Sequence, residues 1–324
     1  MDKRFKIENF QWERHQNQMN ELYYQISSKY PNGMYWSYDP NFCPWENTFV
    51  LLDQKYLNEE GVGKVIGKAQ VNYYHKLENH IPIEVMQRII FHYRVMPEYE
   101  EVSEAVELLF DAIVDKAIVL AEKSTPGRKC VLCQSCTDNE EFYIKHIQEK
   151  GYVERTGYYC MSLKKGEENL GELQHIKGIE VRNITEKFDS YKDRILEIEQ
   201  ECFLDDVMSQ EELDDVAKEN RLTVYGAFDQ EELIGLCIGD QPKGDAPEVF
   251  SLNVCKEYRR KGIARDLLIT LLKDLKEIGA DYITLAVKND NEPAINLYRT
   301  IGFVAYRNER MFGKEHIRTT AQKR

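Results

Sequence analysis

The sequence lacks a hydrophobic segment long enough to cross a bilayer. Its richest apolar run, Leu267–Leu272, is six residues long, whereas a membrane-spanning helix needs about 20. The first residues, Met1–Glu8, mix acidic and basic side chains and contain no apolar stretch of the kind that a secretory signal requires. The sequence therefore predicts a cytoplasmic protein without a membrane partner.

Positive charge is scarce. The 324 residues include 43 lysines and arginines against 56 aspartates and glutamates, which gives a net charge of −13. An acidic surface repels phosphate backbones, so we expect no nucleic-acid partner. The same surface suits a cationic substrate such as an amine, although solubility alone also accounts for it.

A fourth cysteine is missing from the one cysteine cluster. Cys130, Cys133 and Cys136, three of the eight cysteines, have the spacing of a metal or iron–sulfur motif. The segment Lys129–Cys136 has the pattern of a β-strand, however, which turns Cys130 and Cys136 to one face and Cys133 to the other. Three such thiols cannot converge on one ion, so we expect no metal and free buried thiols.

The chain contains an internal repeat. The segment Glu257–Leu268 resembles Glu98–Leu109, and three shorter matches follow the same order: Leu233–Gly235 with Val65–Gly67, Asn291-Glu292 with Asn139-Glu140, and Ile301–Val304 with Lys150–Val153. Chance explains one such match but not four in order. The polar segment Lys164–Gly178 has the composition of a linker. We therefore predict two copies of one α/β unit, in domains 1–168 and 169–324.

Secondary structure is clearest in the second copy, where the apolar patterns predict the order βααβββαβαβ. The predicted strands are Ile179–Ile184, Leu222–Phe228, Leu233–Gly239, Glu248–Cys255, Tyr282–Val287 and Val304–Phe312. The predicted helices are Tyr191–Phe203, a short helix capped by Ser209, Gly262–Ile278 and Pro293–Ile301.

A basic loop connects the strand Glu248–Cys255 to the long helix. It reads, in order, Arg259, Arg260, Lys261, Gly262, Ile263 and Ala264. Free N–H groups and the positive end of the helix dipole favour an anion at a helix N-terminus, and small residues let a phosphate approach the backbone. The pattern indicates a pyrophosphate site or, alternatively, a basic surface turn that opens an ordinary helix.

Together these residues resemble the GNAT superfamily of N-acetyltransferases. Arg259–Ala264 is similar to the family's acyl-CoA motif, Arg/Gln-x-x-Gly-x-Gly/Ala, and Asn291–Phe303 is similar to its second motif. The resemblance covers the C-terminal half. It implies an α/β protein with two tandem GNAT folds, each with a mixed, mostly antiparallel central sheet flanked by helices. It also implies that the second copy is catalytic and uses acetyl-CoA as co-substrate.

The resemblance implies roles for single residues. Glu248 resembles the base that accepts the proton of the amine, provided that burial raises its pKa, and is otherwise an exposed strand-end carboxylate. Tyr298 resembles the general acid that protonates the departing CoA thiolate, and is otherwise a core tyrosine. The backbone of Leu252 and Val254 is implied to pair with the pantetheine arm. Asn291 is implied to contact that arm, to cap the following helix, or both.

The acceptor side is less defined. The resemblance places the acceptor near the loop between the first two helices, where Asp205 and Asp206 either hold a cationic group or form a solvated turn. We expect the acceptor to be a primary amine of a small molecule or a peptide. The alternative function is a non-catalytic acyl-CoA sensor or interaction protein, which has no need of Glu248 and Tyr298. The sequence leaves a homodimer open.

The first copy departs from the motif. Glu100, Glu101, Val102 and Ser103 stand where the second copy has Arg259–Gly262, while Ile89 and Ile147 stand opposite Glu248 and Tyr298. Carboxylates repel a pyrophosphate, so we predict that this copy keeps a GNAT-like fold without acyl-CoA turnover. Its aromatic segment Tyr35–Trp45 is interpreted either as a covering loop or as a wall of the acceptor pocket of the other half.

Overall fold

The computed structural model describes residues 3–31, 33, 43–74, 77, 81–203, 210–218, 222–241, 246–277 and 279–316. Contacts between residues divide the chain into two compact units, Met1–Gly157 with Glu309–Arg324, and Tyr158–Asn308. Within the described ranges, no helix is long and apolar enough to cross a membrane. The predicted domain ranges, 1–168 and 169–324, remain a prediction.

The first unit is built around a sheet with the strand order β1-β2-β3-β4-β5-β12, in which β4 and β5 are parallel and the other neighbours antiparallel. The strands are β1 (Phe5–Asn9), β2 (Thr48–Leu57), β3 (Gly63–Tyr73), β4 (Gln87–Val95), β5 (Cys130–Thr137) and the later part of β12 (Val304–His316). The helices are α1 (Trp12–Lys29), α2 (Ser103–Glu122) and α3 (Glu141–Glu149).

The second unit repeats this plan with the strand order β6-β11-β10-β9-β8-β7, in which β10 and β11 are parallel. The strands are the later part of β6 (Val153–Lys164), β7 (Ile179–Asn183), β8 (Leu222–Asp229), β9 (Glu232–Asp240), β10 (Glu248–Val254) and β11 (Tyr282–Lys288). The helices are α4 (Phe188–Cys202), α5 (Gln210–Lys218), α6 (Ile263–Glu277) and α7 (Glu292–Ile301). The predicted fold class and element order are confirmed, while the proposed cap Ser209 lies outside the described residues.

Helices cover both faces of the sheet in the second unit. On one face, α6 buries leucines at helical spacing together with Ile295 and Ile301 of α7. On the other face, Ile195 and Ile198 of α4 pack with Phe228 and Leu236 of the sheet. Each fully buried aliphatic side chain contributes about 1.5–3 kcal/mol, so these two layers hold β10 in place between them.

The two halves of the sequence exchange their last strands. β6 follows the first copy but pairs with β11 from Tyr158 to Lys164, and β12 follows the second copy but pairs with β5 from Glu309 to His316. Each sheet is therefore completed by a strand from the other half of the chain. The sequence pattern did not predict this exchange, because two homologous strands fit the same partner edge by alternation alone.

Strand β5 has the alternation that was predicted for the cysteine cluster. Cys130 and Cys136 belong to the hydrophobic core of the first unit. Cys133 is also buried, but it lies on the opposite face of the strand and outside that core. All eight cysteines are free thiols.

Candidate active site

Strand β10 departs from regular pairing on both sides. Its register with β9 shifts between Val249 and Ser251, which is a β-bulge at Phe250. Its parallel pairing with β11 is limited to Glu248 opposite Thr284, although both strands are described throughout. Beyond that pair, the edge of β10 that faces β11 is open to an added extended segment.

The backbone of Leu252 and Val254 faces this open edge. The N–H of Cys255 donates to the carbonyl of Ile234 on β9 at 2.9 Å. Backbone groups of an antiparallel strand alternate between its two sides, so those of Val254 and Leu252 point away from β9 and towards β11. This orientation supports their predicted pairing with a pantetheine arm.

The segment Arg259–Ala264 forms a strained loop before α6. Arg260 and Gly262 both have left-handed backbones, with φ of 60° and 92°. The carbonyl of Gly262 accepts the N–H of Asp266 at 3.1 Å, so Gly262 occupies the N-cap position of α6. A left-handed arginine costs on the order of 1 kcal/mol, and such strain is typical of functional loops. The first N–H groups of α6 lack intrahelical partners and are available to an anion.

The three basic side chains of the loop differ in their contacts. Arg259 Nε donates to the carbonyl of Val254 at 2.8 Å, and its Nη2 lies 3.2 Å from Cys202 Sγ. Lys261 Nζ lies 4.8 Å from the ring centroid of Tyr258, and Arg260 is exposed. The structure therefore joins two predicted cofactor residues, Arg259 and Val254, through a hydrogen bond on this strand edge.

Glu248 begins β10 next to another carboxylate. It lies opposite Asp240 of β9 in the strand register and is half-buried. Burial raises the pKa of Glu248 above its ordinary value, and the neighbouring Asp240 charge raises it further. This is the condition under which the sequence predicted that Glu248 acts as a base.

Tyr298 lies on α7 and is buried against the sheet. Burial raises the pKa of its phenol well above the usual range, with a smaller contribution from nearby Cys237. Tyr298 and Cys237 belong to the same buried cluster, and Cys237 of β9 pairs with Leu252 of β10. The phenol stays protonated at neutral pH, as a proton donor requires.

Asn291 caps α7, because its side chain accepts the N–H of Ala294 at 3.3 Å. The capping interpretation is therefore confirmed, while a contact with the CoA arm stays a prediction. Asp205 and Asp206 lie outside the described residues, as does most of the aromatic segment Tyr35–Trp45.

Sequence reasoning missed a buried polar cluster beneath β10. Glu199 of α4 accepts hydrogen bonds from Ser251 and Asn253, the latter at 2.6 Å, and Asn253 also donates to Ser251 Oγ at 2.8 Å. All three side chains are buried. Two polar residues at alternate positions of an otherwise apolar strand were the signal that could have revealed the cluster.

The first unit fills the equivalent strand edge with its own side chains. By backbone register, Tyr93 and Val95 of β4 correspond to Leu252 and Val254. Arg94 donates to the carbonyl of Tyr93 at 2.7 Å and to that of Ser135 on β5 at 3.4 Å. The hydroxyl of Tyr143 bonds both the N–H of Val95 at 3.0 Å and its carbonyl at 3.3 Å. An added strand would find these groups occupied.

The alignment of the two copies also needs one correction. β4 pairs with β3 without a bulge, so the register places Ile90, not Ile89, at the position of Glu248. The carboxylate of Glu100 does not line the former phosphate loop. It is buried, accepts the Tyr30 hydroxyl at 2.8 Å and forms an ion pair with Lys29. Only Glu101 and Glu104 remain exposed at that loop.

Comparison with known proteins shows a likeness to acetyltransferases. Residues 191–303 match the Acetyltransferase (GNAT) family. An N-alpha-acetyltransferase of Sulfurisphaera tokodaii is 45% identical over 17% of this chain and 34% of its own length. N-alpha-acetyltransferase 30 of Schizosaccharomyces pombe is 35% identical over 26% of this chain and 58% of its own. A mycothiol acetyltransferase of Thermobifida fusca is 31% identical over 21% of each chain. The chain thus spans less than two thirds of these relatives.

Solved structures extend the likeness to the whole chain. A GCN5-related N-acetyltransferase from Sphaerobacter thermophilus superposes with a TM-score of 0.74 at 15% identity, covering 97% of this chain and 96% of its own. A tandem GNAT protein from the clavulanic acid biosynthesis pathway has a TM-score of 0.63 at 14% identity, covering 97% and 99%. At this identity the likeness shows the fold. The whole chain therefore has the fold of tandem GNAT proteins, and residues 191–303 match the family itself.

Proposed function

We propose that the second unit transfers an acetyl group from acetyl-CoA to a primary amine of a small molecule or a peptide. One observation carries the proposal. The segment from Glu248 to Ala264 presents in order a carboxylate with raised pKa, an open strand edge and a basic loop at a helix N-terminus. This order matches a substrate with a reacting thioester at one end of an arm and phosphates at the other.

The residues divide the reaction between them. Glu248 accepts the proton of the ammonium group, and the free amine attacks the thioester carbonyl. The N–H of Leu252 or Val254 stabilises the negative oxygen of the tetrahedral intermediate. The C–S bond then breaks as the amide forms, and Tyr298 donates its proton to the departing thiolate. Arg260, Lys261 and the start of α6 hold the phosphates.

Relatives named N-alpha-acetyltransferase favour a peptide α-amine as the first acceptor to test. The test begins with thermal unfolding of the full chain in acetyl-CoA, with the Arg260→Glu variant alongside. A ligand at 100 times its Kd stabilises the folded state by about 2.7 kcal/mol. The Arg260→Glu variant reverses a charge and keeps a side chain of ordinary backbone preference. We therefore expect acetyl-CoA not to stabilise it. If acetyl-CoA at millimolar concentration fails to stabilise wild type, the proposal is wrong.

A second assay separates catalysis from binding. Release of the free CoA thiol is followed with a panel of amino-terminal peptides and small amines. We expect at least one acceptor to release thiol, and Glu248→Gln to stop this release. Stabilisation by acetyl-CoA without thiol release from any acceptor would favour the alternative, a non-catalytic acyl-CoA sensor.

A further inference from the structure

The segment that follows β6 is docked on the start of α6 through its backbone. Asp266, in the first turn of α6, is buried, and its carboxylate accepts the N–H groups of Gln174 at 2.8 Å and His175 at 3.0 Å. The preceding helix residue, Arg265, donates to two carbonyls of the same segment, at 2.7 and 2.8 Å. Two consecutive helix residues therefore fix the path of this segment, which we call the linker (residues 165–178).

Apolar side chains of the linker pack against the core of the second unit and fix only part of this path. A cavity of about 260 Å³ lies between the linker, β7 and α6, with Leu173, Ile176 and Ile263 in its wall. His175 also has a left-handed backbone, with φ of 48°, which costs free energy for a residue other than glycine. The hydrogen bonds of Asp266 and Arg265 therefore hold the linker in a conformation that it would not adopt alone.

The consequence of this path is the position of the Gln174 side chain. A Cβ atom added to Gly262 would overlap Gln174 Oε1, so the carboxamide rests directly on the loop glycine. The side chain is exposed, and its amide forms no hydrogen bond with any residue that the structure describes. The amide oxygen therefore rests on Gly262, and the N–H2 group of the same carboxamide, with two donors, is turned away from the glycine and is available to a ligand bound at the loop.

We propose that Gln174 binds the pyrophosphate of acyl-CoA together with the loop Arg259–Ala264, and that Asp266 is the residue that positions it. The inference rests on the proposed function and adds a residue that lies outside both sequence motifs. A neutral amide donates to a phosphate oxygen without adding charge, whereas a carboxylate at the same place would repel it.

The test compares two amide-to-carboxylate changes in one linker, Gln174→Glu and Asn169→Asp. Asn169 is the matched control because its amide lies at the end of α7, 3.4 Å from the carbonyl of Thr300, and not at the loop. Binding of CoA and of pantetheine to the full chain is measured by calorimetry. We expect Gln174→Glu to raise the Kd of CoA about ten-fold, as a repulsion between close charges predicts, and to leave that of pantetheine unchanged.

The Asp266→Ala variant tests whether Asp266 positions Gln174. It should weaken CoA binding, and adding Gln174→Glu to it should cost much less than in wild type, because a released linker no longer holds residue 174 at the loop. If Gln174→Glu binds CoA as tightly as Asn169→Asp does, the inference is wrong while the proposed function stands. If the effect is equal for CoA and pantetheine, Gln174 acts on the fold and not on phosphate. If wild type binds no CoA, both proposals fall.

Discussion

In both units the parallel pairing of the two central strands stops at the same register, but the strand edge beyond that point has different surroundings in each unit. Parallel pairing ends at Ile90 opposite Cys133 in the first unit and at Glu248 opposite Thr284 in the second. In the second unit the strand edge beyond this point has no further pairing with β11, although both strands are described throughout, and the carbonyl of Val254 accepts Arg259 Nε there. In the first unit Arg94 and Tyr143 occupy the equivalent backbone groups.

The first unit therefore differs from the second in the side chains along this strand edge as well as in its loop sequence. The side chains that fill the first site are themselves tied into the core. Arg94 Nε donates to Glu140 at 2.7 Å, and both side chains are buried. Side chains that are tied into the core thus occupy this strand edge in the first unit.

The largest expected effect comes from cutting the chain at the predicted domain boundary. A fragment of residues 169–324 lacks β6 and would expose the edge of β11 that β6 covers over seven residue pairs. We expect this fragment to fail to fold, whereas residues 153–308 should fold because they keep the complete second sheet. Circular dichroism and urea unfolding check both. Cooperative unfolding of the fragment 169–324 would show that β6 is not needed for folding. It would also support the domain boundary at residues 168 and 169 that the internal repeat predicted.

Removal of the proposed base tests whether the chemical step belongs to the second unit alone. Glu248→Gln should lower kcat by about 10²–10⁴-fold, as is typical of a lost general base, and leave CoA affinity unchanged. Adding Ile90→Glu to that variant places a carboxylate at the same register of the first unit. We expect no recovery of activity, because the neighbouring strand edge is filled. Recovery would contradict the assignment of the first unit as inactive.

The raised pKa of Glu248 has a consequence for stability. Its ionisation is less favourable in the folded than in the unfolded chain, so the charge destabilises the fold above the ordinary carboxyl pKa. This cost disappears as the pH falls below that value, about 4.3. Thermal unfolding should therefore give Glu248→Gln a higher Tm than wild type at pH 8 and an equal Tm near pH 3. A Tm difference independent of pH would show that burial does not strain this carboxylate.

Matched glutamates test whether the filling of the first unit is structural. Glu140→Gln leaves Arg94 buried without its carboxylate, which costs about 3–5 kcal/mol of unfolding free energy. Glu292→Gln changes the exposed residue at the repeated position of the second unit and should be nearly neutral. Urea denaturation measures both. Equal effects would mean that the Arg94–Glu140 pair does not hold the first cleft closed.

The smallest expected effects concern two tyrosines. Tyr298→Phe should reduce kcat about ten-fold only, because a CoA thiolate is already a fair leaving group. Tyr143→Phe should leave kcat unchanged and cost about 1 kcal/mol of stability through its lost hydrogen bonds to Val95. Steady-state kinetics and thermal unfolding are measured for both variants. A loss of kcat in Tyr143→Phe together with a loss of stability alone in Tyr298→Phe would contradict the roles given to the two units.

Much of the fold could be predicted from local pattern. The leucine spacing of α6, the glycine that precedes it and the alternation of β5 each depend on neighbours in sequence. The strand exchange could not be predicted in this way, since β6 and β12 are homologous and pairing choice is a long-range property. The bulge at Phe250 escaped notice for the same reason, and it shifted the equivalent of Glu248 by one residue.

In the candidate site, motif residues were predictable and their partners were not. Arg259, Gly262 and Tyr298 belong to recognisable spacings. Glu199 and Gln174 reach the site through tertiary contacts, from a helix and a linker that carry no motif. The prediction from charge that Glu100 lines the loop of the first unit was wrong, because its carboxylate turns inwards and accepts the Tyr30 hydroxyl.

We propose that only one of the two similar units binds acetyl-CoA, and the stoichiometry of CoA binding decides this. Calorimetric titration of the full chain should give one site per chain. Arg260→Glu should abolish that site, and Glu101→Lys, which removes an exposed acid from the loop of the first unit, should not create a second. Two sites in wild type, or one site that survives Arg260→Glu, would contradict the account.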